Sequence, residues 1–110
     1  MSYTAISGGL DMKILDKMLD HLEEEVEGAR EYAEKYIECK SRGNMARANK
    51  YKEMAHDELK HATFLKEMDI ADVSELKKVY PLTDEEQSLW DHRHKHITDH
   101  MAMVMHILSM

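Results

Sequence analysis

Apolar residues recur along this chain at alternating steps of three and four, in three separate stretches. Leu15, Met18, Leu22, Glu25, Ala29, Tyr32 and Tyr36 mark the first face; Ala48, Tyr51, Ala55, Glu58, Ala62 and Leu65 mark the second. Trp90, His94, Ile97, Met101, Val104 and Leu108 mark the third. This is the period of a helix that buries one stripe against a neighbour. It predicts helix A over about residues 10–40, helix B over about 45–68 and helix C over about 84–109. Ser41-Arg42-Gly43-Asn44 stops helix A, with Gly and Asn just past a basic last turn. The connection is short, so A and B should lie antiparallel. Thr83 followed by Glu86 is a capping box that opens helix C. Residues 1–9, interrupted by Ser7, Gly8 and Gly9, read as a flexible lead. Residues 69–81 read as less regular, with a short helical turn over Val73 to Val79 that closes where Pro81 drives Tyr80 out of the helical region. The expected fold is all-α: an antiparallel two-helix hairpin plus a C-terminal helix, forming one domain over 10–110.

Composition narrows the class. Charged residues make up 34% of the 110 and there is a single Pro, which suits a helical chain better than a sandwich or barrel. A net charge of −7 argues against nucleic acid or an anionic membrane as a partner and makes cations the natural guests. Cys39 stands alone, so no intrachain disulfide forms, which favours a reducing compartment. The first residues lack the basic start and apolar run of a signal peptide, and no stretch reaches a membrane span. A cytoplasmic location is the expectation.

Two of the stripe positions are acids. Glu25 interrupts the first seam, and Glu58 interrupts the second with His61 one turn on. An unpaired buried carboxylate costs several kcal/mol, so a seam acid needs a proton, a cation or a metal. Glu58-x-x-His61 places a carboxylate and an imidazole on one helix face, where both reach a single cation. A di-iron carboxylate site in a helical bundle uses one Glu from each of two helices and Glu-x-x-His from each of two others. Glu25, Glu58 and His61 make half of that set. A two-fold homodimer would supply the other half and close a four-helix bundle, so the pattern predicts its own oligomerisation.

Glu24-Glu25-Val26-Glu27 followed by Tyr32, then Asp57-Glu58-Leu59-Lys60-His61, resembles the encapsulated-ferritin branch of the ferritin-like superfamily and, more distantly, rubrerythrin. The resemblance spans about Leu15 to Met68. It implies that Glu25, Glu58 and His61 are ferroxidase ligands and that Tyr32 is the tyrosine beside the metals. It implies that Glu24 and Glu27 are outer, solvent-side carboxylates through which metal enters, although both read first as a charged helix face. The implied activity is oxidation of Fe(II) with O2 at a di-iron centre between two subunits, with dimers assembled inside a protein shell or nanocompartment. Mn or Zn would also suit the ligands. The short targeting tail of shell-bound members is not recognisable after helix C.

Helix C carries a separate signal. His92, His96 and His100 repeat at i, i+4 and i+8 among Met101, Met103 and Met105. This reads first as a structural or oligomer surface, and second as a further metal site for Zn, Cu or Ni. Two other functions therefore stay open: a non-catalytic helical homo-oligomeric adaptor, and a metal-buffering protein centred on helix C.

Overall fold

The computed structural model describes the backbone of residues 3–110 and the side chains of residues 12–110. Its elements are α1 (Tyr3–Ser41), α2 (Met45–Val79) and α3 (Asp84–Ser109), with no strand among the described residues. Together they form a rod of 64 × 18 × 18 Å.

The turns follow the predicted chemistry. Gly43 adopts φ +79°, a conformation glycine enters without steric cost. Its N–H donates to Lys40 C=O at 3.0 Å and the Asn44 N–H to Cys39 C=O at 2.9 Å, satisfying the last carbonyls of α1. Asn44 then caps α2, its side chain accepting from Arg47 N–H at 3.2 Å. At α3, Thr83 Oγ1 accepts from Glu86 N–H at 3.1 Å while Glu86 Oε1 accepts from Thr83 N–H at 2.7 Å. The capping box is complete.

Two boundaries differ from the pattern-based reading. The backbone is already helical at Tyr3, so the lead expected over 1–9 is helix from residue 3 on, and Met1 and Ser2 lie outside the described residues. Glycine weakens a helix by about 1 kcal/mol per residue without forbidding it, and Gly8 and Gly9 are carried through. Likewise α2 does not stop near Met68; it continues to Val79. No Gly or Pro lies between Met45 and Tyr80, and Asp69 and Val73 extend the buried stripe. Tyr80, at φ −127° and ψ 90°, leaves the helix immediately before Pro81.

α1 is the shared element. It packs along α2 on one flank and α3 on the other, while α2 and α3 scarcely touch. Its fully buried stripe is Leu15, Leu19, Leu22, Val26, Ala29, Ala33 and Tyr36. Met18, Glu25 and Tyr32 therefore stand at the edge of that stripe rather than along its middle. On α2 the small residues Ala48, Ala55 and Ala62 are buried with Leu59 and Val73, and Tyr51, Glu58 and Leu65 form the edge row. α3 buries Trp90, Ile97, Val104 and Leu108, as its pattern predicts. It runs parallel to α1: Arg93 binds Asp20 and Glu23, each at 2.8 Å, and further along Lys40 Nζ donates to Met110 C=O. None of the described helices is long and apolar enough to cross a membrane.

Candidate metal centre

The edge rows of α1 and α2 meet across the hairpin. Positions 18, 25 and 32 recur every seventh residue, as do 51, 58 and 65, so each row keeps to one side of its helix. Antiparallel packing then pairs them level by level. Tyr32 stacks on Tyr51 with ring centroids 6.2 Å apart. Glu25 meets Glu58 one level on, and the same register assigns Met18 and Leu65, both packed against the core, to the level beyond. The acid pair is thus held between an aromatic level and an aliphatic one.

Glu25, Glu58 and His61 bring one ligand atom each within 4.8 Å of one another, and among the described residues no other His, Cys, Asp or Glu set of three does so. Both carboxylates are half-buried and His61 is exposed, so the cluster opens at the molecular surface. The Glu25 carboxyl beside it, which favours the protonated form through side-chain hydrogen bonding, is the main reason the Glu58 carboxyl titrates above the ordinary carboxylate range. Burial and the Glu25 charge push in the same direction, and His61 partly offsets them. Two acids held this close repel unless a proton or a cation lies between them. The donor set, two carboxylates and one imidazole, could hold a divalent metal with oxygen and nitrogen preference.

Two neighbours were not legible as part of this site. Gly28 lies under Glu58: a Cβ there would sit 3.5 Å from Glu58 Oε2, so the carboxylate rests directly on the α1 backbone. His21, an exposed residue one turn before Glu25, has Nε2 3.9 Å from Glu25 Oε1. Both depend on how the hairpin pairs and how a side chain swings, which spacing does not encode.

The remaining candidates fall elsewhere. Glu24 is exposed and lines an acidic depression of about 370 Å³ with Asp20, Glu23 and Glu27. Glu27 leans to the other flank of α1, where Arg30 hydrogen-bonds it and holds its carboxyl below the ordinary range, although burial works against this. Its other oxygen faces His100. His96 and His100 share that cleft, whereas His92 lines a separate depression with Asp84, Gln87, Ser88, Asp91 and Lys95. The three-histidine stripe is therefore split between two surfaces. His94 is turned inward, stacked on Trp90 at 5.0 Å, its Nε2 buried without a hydrogen-bond partner among the described residues. Burial, and then the Lys66 charge, keep it below the usual histidine range. Comparison of the chain with protein-family models, with curated proteins and with solved structures returns no match.

Proposed function

We propose that this chain is a ferritin-like, iron-oxidising protein whose metal centre is completed by a second copy of itself. The observation that carries this reading is the convergence of Glu25, Glu58 and His61 at an open edge of the α1–α2 hairpin. Fe(II) is the substrate: it loses one electron per ion to O2, and anionic oxygen ligands favour the ferric product. Charge balance supports two irons per doubled site. Four carboxylates from two copies carry four negative charges, which two divalent cations neutralise, so the set can be enclosed without a stranded charge.

The surface around the cluster supports the second copy. Met54, Glu58, His61, Leu65 and Met68 follow one another on α2 at steps of four and three, the period of a helix seam. Met54 is 40% exposed, Met68 59% and the adjacent Phe64 52%, an apolar rim that a single chain leaves to solvent. Methionine and aromatic residues are enriched where chains meet. A two-fold axis through this rim would juxtapose two half-sites and make a four-helix bundle of α1 and α2 from each copy. Tyr32, on the same edge two turns from Glu25, would hydrogen-bond a ligand carboxylate or donate an electron.

Aerobic addition of Fe(II) to the purified protein, followed by ferric absorbance and by sedimentation, tests both halves. Protein-dependent oxidation is expected, together with a shift towards dimer or larger species on metal addition. Glu25→Ala and His61→Ala should each slow oxidation at least about tenfold; Tyr32→Phe should slow it while leaving metal binding intact. Oxidation indifferent to Glu25→Ala and His61→Ala removes the proposal.

A further inference from the structure

A second group of donors lies on the other flank of α1, in a cleft of about 460 Å³ between α1 and α3. Glu27 enters it from α1 with its orientation set by Arg30, whose Nε donates to Oε1 at 3.0 Å while Nη1 reaches Glu34 at 3.3 Å. Glu27 Oε2 is left facing the cleft. There it stands 3.9 Å from Nε2 of His100, whose side chain is only 14% exposed. That gap is too wide for a hydrogen bond. It is close to the roughly 3.4 Å that separates two ligand atoms of one tetrahedral ion with bonds of about 2.1 Å. His96 lies one turn before His100 on the same helix, and histidines at i and i+4 can converge on a single ion. Arg30 itself, Asp99 and Met103 form the remaining wall.

We infer that this cleft binds a divalent transition-metal ion of the imidazole-favouring class (Zn, Ni or Cu), with His96, His100 and Glu27 Oε2 as its ligands. As they stand, the three do not bring their ligand atoms within 4.8 Å of one another; closing the site takes a turn of the exposed His96 side chain towards the other two and a closer approach of Glu27 to His100 from 3.9 Å. Two neutral nitrogens and one carboxylate select against Ca and Mg, which take oxygen ligands almost exclusively. The Arg30 charge does not oppose the ion directly, because Glu27 Oε1 and Glu34 already engage it. The bound ion would clip α1 to α3 within one chain, so the inference stands apart from the iron chemistry of the α1–α2 edge and from any second copy.

The test uses the untagged full chain carrying Glu58→Ala and His61→Ala, in which the α1–α2 cluster is disabled. Co(II) is titrated and followed by its visible absorbance, then challenged with Zn(II) and separately with Ca(II). About one equivalent of Co(II) per chain is expected, displaced by Zn(II) and not by Ca(II). Adding His96→Ala or His100→Ala should weaken binding at least about tenfold, Glu27→Gln should weaken it as well, and His92→Ala should change nothing. Helix content by circular dichroism is compared first, and the exposed His96 provides a change the fold tolerates even if His100→Ala does not. Binding unaffected by His96→Ala, or weakened as much by His92→Ala, or lost to Ca(II), overturns the inference.

Discussion

Asp69 and Glu58 are both acids drawn above their ordinary titration range, with different leading causes. Glu58 is raised chiefly by the neighbouring Glu25 carboxyl, which favours its protonated form. Asp69 is raised from 3.8 to about 6 chiefly because it is buried, with the Asp72 charge adding to the effect and His21 partly countering it. Its Oδ2 has no hydrogen-bond partner among the described residues. The sign follows from proton binding: the folded chain holds the Asp69 proton more tightly than the unfolded chain does. Stability from this group is therefore complete below about pH 4 and is lost as pH rises through about 6. Asp69→Asn should raise stability by about 1–3 kcal/mol at pH 8, with the gain shrinking towards pH 4. Thermal melts of both proteins across that range check it; a gain independent of pH would show that ionisation is not the cost. Glu25 and Glu58 were legible in the sequence because each interrupts an apolar row at helical spacing. Asp69 was not, because the same row appeared to end at Met68, and an acid past the end of a helix looks solvated.

At the scale of elements, the helices, the turn at Gly43 and the Thr83–Glu86 cap were legible because each rests on local chemistry. What holds α3 to α1 was not, because it depends on the register between elements far apart in the chain. Arg93 supplies much of that register. It reaches Asp20 and Glu23 at 2.8 Å and Asp16 at 3.4 Å, with its own side chain only 21% exposed. One guanidinium among three carboxylates fixes the sliding position of α3, as its fork of donors allows. Because the acids are substantially solvated, screening keeps the energy modest. Arg93→Ala should cost about 1 kcal/mol in urea unfolding, less at high salt, and Arg93→Lys should recover only part of it. A loss that does not change with salt would mean that Arg93 acts through packing of its stem instead. The same register brings Glu27 to His100, so the cleft is not encoded in local spacing, although the histidine repeat on α3 is.

As a whole molecule the protein is a thin rod with much apolar surface uncovered. Phe64, Met68, Ile70, Val79, Met105 and Met110 are each close to half exposed or more. The hydrophobic patterning gave no direct measure of this, since a row at helical spacing looks the same whether its partner is in the chain or in another copy. The edge position of Glu25 and Glu58 has the same origin: their row faces outward past the hairpin, which only the packing of Ala55, Ala62 and Ala29 reveals. One further feature governs how the rod comes apart. Since α2 and α3 scarcely meet, α3 has a single attachment along its length. That arrangement predicts that α3 peels from α1 while the α1–α2 hairpin stays closed, so the chain should open in two steps with separate free energies. Amide exchange should find the interior amides of α3 less protected than those of α1 between Leu15 and Tyr36, and uniform protection across all three helices would contradict this. Losing that one strip would bare the α3-facing flank of α1 while the flank under α2 keeps its cover.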